Sequence, residues 1–539
     1  MVAALFFHRS PRATEPTPDW PLHRRALLRG GAPDTNPLPS CPLTLASLAS
    51  HAMIPPLAAS DAIATSLSIN FVWTLIAGFL VMFMQAGFAL VETGMCRAKN
   101  AAHTMSMNFL VYSLSMAGFF VCGFAFMCGG INGVPPGHNV APIGGPMTLG
   151  GCPSLNHMLY LTLGGKPWGL CGLHGFFLGG GTVDAGVAVW FFYMMVFMDT
   201  TATIPTGALA ERWSFKSFAI FSVCVGSFIY AIFGCWMWGG GWLAQLGQNC
   251  GLGHGAVDFA GSGVVHLQGG VLALVLVKLI GPRIGKYDSS GNPRPIFGHS
   301  MPMVMFGTFL LAFGWFGFNA GSGLSGSTPR IGVIAVNTML ASGAATLSAC
   351  FFMWKLYGKP DPTMMCNGML GGLVSITAGC AFVTPLMAFI IGGISGLITV
   401  ASVLWCEQHL LDDPVGAISV HGVGGIWGLV AVGLFADGTY GEGFNGVAGN
   451  VTGLFYGQHS WHQLFAQLIA ALTCIIWNTI IGGGVFLLIE RYIGSNRVPP
   501  QVEIAGLDIP EMGTPGYPEF ITQMSREQVT LTDVSEARG

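Results

Sequence analysis

Apolar stretches of about 20 residues, the length that crosses a hydrocarbon core as a helix, recur about eleven times along the chain. They fall at roughly 70–95, 104–127, 187–209, 217–238, 257–281, 300–319, 331–356, 365–383, 386–410, 415–436 and 465–490. Polar links separate them, and only Arg97-Ala98-Lys99 divides the first two. Gly, Pro and small polar residues are frequent within the spans, as expected where helices pack closely in a bilayer. The pattern predicts an all-α polytopic membrane protein with eleven transmembrane helices. Composition agrees: 8% of the 539 residues are charged and 52% are hydrophobic, whereas a soluble domain carries about 25% charged residues. The formal net charge of -3 singles out no partner, and nothing suggests nucleic-acid binding.

Loop charge sets an expected orientation, because basic residues gather on the inner side. With the N-terminus of the first span outside, the inner links and their edges hold Arg97, Lys99, Arg212, Lys216, Lys278, Arg283, Lys286, Arg294, Lys355 and Lys359. The outer links hold Lys166 and Arg330, and the tail with Arg491 and Arg497 falls inside.

Within this frame one pattern occurs twice. Asp258-Phe-Ala-Gly-Ser-Gly-Val-Val-His266-Leu-Gln-Gly-Gly and Asp413-Pro-Val-Gly-Ala-Ile-Ser-Val-His421-Gly-Val-Gly-Gly share their Asp, Val-His and Gly-Gly positions. An imidazole inside an apolar span is costly and marks a functional site. Five crossings separate the two aspartates, so they lie on opposite faces and their helices enter from opposite sides. The expectation is an inverted repeat of five spans plus five, with the eleventh added. At 1.5 Å rise per residue each His lies about 12 Å along its helix from its Asp, near mid-membrane. Asp413-Pro414 reads as an N-cap followed by a first-turn Pro. The bland reading of the histidines is a pair that hydrogen-bonds to itself in a core.

Three segments surround this membrane domain. Residues 1–60 form an N-terminal extension; within it, 1–52 carry Arg9, Arg12, Arg24, Arg25 and Arg29 and no long apolar run. A transit peptide, a disordered extension and a start-site artefact with initiation at Met53 are the readings. Residues 61–492 form the membrane domain, and 493–539 a polar cytosolic tail read as regulatory or as disordered. The longest outer loop, 128–186, together with Cys250, places Cys128, Cys152, Cys171 and Cys250 outside, either as disulfides or as free thiols. Cys152, His157, Cys171 and His174 have a loose zinc-like spacing. Asn450-Val-Thr452 is a sequon in an outer loop.

Aromatic residues collect at the outer ends of several spans. Trp236-Met-Trp238 ends the fourth, Phe313-Gly-Trp315-Phe-Gly-Phe318-Asn319-Ala-Gly-Ser322 ends the sixth, and Tyr193 and Phe197 lie in the outer half of the third. Such a cluster suits a small cation on ring faces at about 0.5–2 kcal/mol per contact. An interfacial aromatic belt is the alternative.

These motifs resemble those of the ammonium transporter family (the Amt/Mep/Rh superfamily). The resemblance covers about 70–515 and rests on Gly207-Ala-Leu-Ala-Glu211-Arg212, Asp258-Phe-Ala-Gly with Val-Val-His266, Gly-Trp315-Phe-Gly-Phe318-Asn-Ala-Gly-Ser322, and Asp412-Asp413-Pro with Val-His421-Gly-Val. Trp238 is similar to the Amt/Mep branch rather than the Rh branch. The resemblance implies ammonium and ammonia as substrate (methylammonium as analogue), no enzyme activity, a homotrimer with one pore per subunit, and a plasma (inner) membrane location. In a bacterial host it implies a PII-type signal protein at the cytosolic face. It assigns Trp238, Ser322, Phe197 and Tyr193 to substrate recruitment and Phe197 and Phe318 to a gate. His266, His421 and Trp315 line the pore, and Asp258, Asp413 and Asn319 support it. No cofactor or metal is implied. Gly506-Leu-Asp508 fits the family's inner C-terminus, where Pro510-Glu511 replace a phosphorylatable Thr. Asp199 departs from the bacterial pattern; hydrogen bonds to Thr200, Thr201 or Thr203 are expected to satisfy it.

Ammonium matches K+ in charge and size, so charge alone cannot select it. Crossing as an ion would cost several kcal/mol, while full desolvation can make an amine roughly three to five pH units more acidic. Proton loss at the gate followed by passage of ammonia is therefore the expected mechanism. An ammonium sensor signalling through the tail is the alternative. A membrane metalloenzyme built on the histidines is disfavoured by the distance to the aspartates.

Overall fold

The computed structural model describes residues 59–133, 146–457 and 461–518. Expectations for 1–58 and for the tail beyond 518 lie outside these residues. Long apolar helices follow one another as the pattern predicts: α1 (Ala59–Met95), then α2 (Ala98–Cys128), α3 (Ala185–Ala208), α4 (Phe215–Met237), α5 (Ser262–Ile280), α6 (Met301–Gly321) and α7 (Arg330–Tyr357). After α8 (Pro362–Thr377) come α9 (Pro385–Gln408), α10 (Ile418–Phe435) and α11 (His462–Tyr492). Among the described residues, ten of these are long and apolar enough to cross a membrane.

The eighth, α8, has 16 residues and rises about 24 Å, short of a core of roughly 30 Å. Asp361 starts it, accepting from Thr363 N at 2.8 Å. Its other end stops against the approach to α5: Phe259 N and Ala260 N donate to the carbonyls of Ala378 and Thr377, each at 3.1 Å. The apolar residues 378–383, read from sequence as span, are turn.

Five helices carry short π-helical segments, at Phe119–Gly123 in α2, Val225–Ile229 in α4, Ser262–Leu267 in α5, Ile418–Val423 in α10 and Asn478–Gly482 in α11. The loop read as Gly- and Pro-rich contains a hairpin, β1 (Met158–Leu163) paired antiparallel with β2 (Lys166–Gly172). Gly164 and Gly165 turn it, with φ of 61° and 74°, as a two-residue hairpin turn requires.

At the end where the basic links gather, buried ion pairs hold four segments together. Arg97 pairs with Glu211 at 2.5 Å, and Arg283 bridges Glu211 at 3.3 Å and Asp412 at 2.8 Å. The tail packs on these same links. Arg497 pairs with Glu503 at 2.9 Å, Leu507 N donates to Asn100 Oδ1 and His103 N to Asp508 Oδ1, both at 2.9 Å. The described tail thus rests on its own chain.

Candidate functional site

Both histidines sit just inside the start of a helix, because both helices start later than the apolar pattern suggests. Gly261 (φ 113°) and Gly416 (φ 81°) take left-handed conformations that halt helix propagation on the N-terminal side. The aspartates then cap across the break. Asp258 accepts from Gly261 N, Gly263 N and Val264 N at 2.8–2.9 Å. Asp413 accepts from Val415 N, Gly416 N and Ile418 N at 3.2, 2.9 and 2.7 Å. Pro414 lies in the loop and not in the first helical turn. The continuous helical rise expected between each Asp and its His is therefore broken: of the first segment only the stretch from Ser262 to His266 is helical, about 6 Å.

Each histidine falls in a π-helical segment, Ser262–Leu267 or Ile418–Val423, a local widening frequent at functional sites. The two helices cross at Gly270 and Gly422. A Cβ on Gly270 would lie 2.1 Å from Gly422 N, which explains the Gly in the Gly-Gly of the first repeat. The crossing brings His266 Nδ1 to 3.1 Å from His421 Nδ1, with ring centroids 5.2 Å apart. Two Nδ1 atoms at that distance are bonded only if one carries a proton and the other accepts it. Among the described residues no group satisfies His266 Nε2.

Above this pair the expected aromatic residues form a series. His266 stacks on Trp315 at 5.0 Å and meets Phe318 at 5.4 Å. Phe318 stacks on Phe197 at 4.0 Å, and Phe197 faces Trp238 at 6.1 Å and Tyr193 at 4.7 Å. Both phenylalanines are buried, and the stacked pair lies between Trp238 and His266. Trp238 is held by donation from Nε1 to the Asp258 carbonyl at 2.6 Å. Trp315 is held by Thr377 Oγ1 at 2.9 Å. The Tyr193 hydroxyl donates to Gly317 O at 3.0 Å and lies 3.4 Å from Ser322 Oγ. Asn319 stands apart from the rings, tying α6 to α7 through Thr338 Oγ1 at 2.9 Å.

Asp199 does not bond as expected. Thr200 and Thr201 donate to backbone carbonyls and Thr203 to Asn108, so their hydroxyls are engaged elsewhere. Asp199 instead faces Ser115 Oγ at 3.5 Å. Cys128, Cys152, Cys171 and Cys250 are free thiols. Among the described residues no three His, Cys, Asp or Glu side chains gather as metal ligands.

On the other side of His421 a small cavity of about 20 Å³, partly open to solvent, is lined by His421, Phe88, Glu92, Asn367, Leu370 and Val420 among others. Glu92 is not among the residues that the sequence motifs single out. Its signal was plain: an acid inside the first apolar span.

The sequence model of the Ammonium Transporter Family matches residues 72–517. The chain belongs to this family. It is 44% identical over 458 residues to the ammonium transporter Amt2 of Archaeoglobus fulgidus, a match covering 84% of this chain and 89% of that protein. The ammonium transporter 1 member 3 of Solanum lycopersicum is 33% identical over 84% of this chain and 93% of its own length. Among solved structures, one titled Sensor Amt Protein superimposes with a TM-score of 0.69 at 33% identity, covering 83% of this chain and 99% of that one. Mep2 of Candida albicans superimposes with a TM-score of 0.63 at 26% identity, over 79% and 85% of the two chains. An ammonium transporter family member of this kind is a multi-pass membrane protein whose substrate is ammonium or ammonia.

Proposed function

We propose that the protein takes up NH4+ at an outer site formed by Trp238, Phe197, Tyr193 and Ser322, removes a proton at the Phe197–Phe318 gate and passes ammonia along His266 and His421. The observation that carries this reading is the unbroken ring series from Trp238 through Phe197, Phe318 and His266 to His421, with successive centroids 6.1, 4.0, 5.4 and 5.2 Å apart. At Trp238 and Phe197 ring faces favour a cation. Between the gate and His421 the ring series is apolar apart from the imidazoles, so an ion pays its full desolvation cost there. K+ has no proton to release and is stopped. The shared proton at the two Nδ1 atoms makes the imidazoles a relay for the one that ammonium leaves behind.

In this reading α8 and the turn at 378–383 together count as the eighth of eleven crossings, with Trp238 outside and the tail in the cytosol. A plasma-membrane homotrimer with one pore per subunit and, in a bacterial host, a PII-type partner at the cytosolic face belong to the same reading, both supported by the family resemblance alone. A second reading, an ammonium sensor with little transport, is favoured by the likeness to the structure titled Sensor Amt Protein. One experiment separates the two. Purified protein in liposomes on a solid-supported membrane is given an ammonium pulse and then a K+ pulse. Transport predicts current for ammonium only, and His266→Ala or His421→Ala abolishes it or admits K+. Wild-type currents and selectivity in both variants would refute the relay, and a silent wild type, without internal alkalinisation, would support the sensor.

A further inference from the structure

A carboxylic acid stands in the wall of the cavity beyond His421, and the reading above gives it no task. Glu92 lies on α1, 3% exposed, and shares the cavity with His421 and Asn367. Its Oε2 accepts from Asn108 Nδ2 at 2.6 Å and from Thr206 Oγ1 at 2.7 Å. Asn108 is itself oriented, its Oδ1 accepting from Thr203 Oγ1 at 3.0 Å. Gly207 leaves room for the side chain, since a Cβ there would come within 2.9 Å of Glu92 Cγ and Cδ. The acid is therefore held in one place by α2 and α3 and presented to the cavity.

Those donors are neutral. Among the described residues no Lys or Arg forms an ion pair with Glu92, and the other charged group acting on it is a second acid, Asp413. An ionised carboxylate buried without a counter-charge costs several kcal/mol, so this group holds a proton or faces a small cation. Ammonia leaving the histidines needs the first and, once protonated, supplies the second.

We propose that Glu92 is the acid that returns the proton to ammonia at the inner end of the pore. The proposal rests on the deprotonation reading above. The carboxyl O–H of Glu92 breaks as the fourth N–H of ammonium forms, and the carboxylate briefly balances the new cation before it leaves. An imidazolium N–H of the His266–His421 pair then breaks as the O–H of Glu92 forms again, leaving neutral imidazole. One ammonium enters, one departs, and Glu92 ends as it began.

The test uses full-length protein in liposomes, reading the ammonium-pulse current alongside a pH dye inside the vesicles. Glu92→Gln keeps the shape and can still accept from Asn108 and Thr206. It is expected to lower the current by about a hundredfold, the range of a lost general acid, while alkalinisation by ammonia persists. Glu92→Asp, with its carboxyl drawn back, is expected to recover part of the current with an altered pH profile. Wild-type current and pH profile in the Gln protein would overturn the proposal and leave the transport reading standing. So would loss of both signals in the Gln and Asp proteins at wild-type assembly, which marks a structural role. A wild type that alkalinises vesicles without current would overturn charge coupling itself.

Discussion

Replacing Asp258 by Asn preserves the size of the side chain and removes its charge. The carboxylate accepts from Gly261 N on Oδ1 at 2.9 Å, and from Gly263 N and Val264 N on Oδ2 at 2.8 and 2.9 Å. An amide has one oxygen, so whichever way it turns its NH2 group faces at least one of these N–H donors. A bond to a charged group contributes about 1.5–3 kcal/mol, and an orphaned buried donor costs about 1–3 kcal/mol. Asn is therefore expected to destabilise the protein by roughly 2–5 kcal/mol, and Ala, which orphans all three donors, by more. The damage reaches function, because the Asp258 carbonyl also holds Trp238 Nε1 at 2.6 Å and the capped segment carries His266. Thermal unfolding of purified protein should rank wild type above Asn above Ala, with ammonium-pulse currents in the same order. Asp413→Asn supplies the comparison. It breaks the equivalent cap, with bonds of 3.2, 2.9 and 2.7 Å, and should cost a similar amount. Unfolding temperatures and currents equal to wild type for Asp258→Asn and Asp258→Ala would refute the idea that these caps set the start of the histidine helices.

Three further outcomes are expected. Phe318→Ala removes a fully buried ring stacked at 4.0 Å on Phe197; it should cost about 3–5 kcal/mol and admit a K+ current that wild type lacks, read on the same solid-supported membrane. Asp412→Ala leaves Arg283, whose side chain is 3% exposed, without its bidentate partner. Removing one member of a buried pair costs about 3–5 kcal/mol, whereas Arg283→Met with Asp412→Leu should cost less, which comparative thermal unfolding checks. The third outcome concerns acid. Burial raises the carboxyls of Asp412 and Glu211, but Arg283, joined by Arg97 at Glu211, more than reverses this and leaves both below the ordinary carboxylate range. Groups depressed in the folded state stabilise it fully above their unfolded values, about pH 4, and lose that contribution as pH falls through the folded ones. Unfolding temperature should therefore fall below about pH 4 in wild type and less steeply in the Met/Leu pair; equal acid slopes would refute the assignment.

What the chain determines by itself follows from local chemistry. Apolar length and loop charge mark the spans, because an unsatisfied backbone in lipid must become helix and basic residues stay on one side. The matching Asp, His and Gly-Gly positions marked His266 and His421 as a pair, since intramembrane imidazoles are costly enough to need a purpose. Aromatic residues at the ends of the third, fourth and sixth spans were legible in the same way. The ordering of those rings was not. Contacts such as Phe197 on Phe318 join residues more than a hundred positions apart, and only the packing of α3 against α6 sets them. Helix starts were also beyond reach. Hydropathy counts the apolar residues around 258–261 and 378–383 as span, yet Gly261 and the bonds from Phe259 and Ala260 to the end of α8 turn both into loop. The case of Glu92 divides between the two. Its cost inside an apolar span is a property of the sequence, but its direction is not. Asn108, Thr206 and His421 come from three other helices, so only the tertiary structure could make that acid face the cavity beside His421.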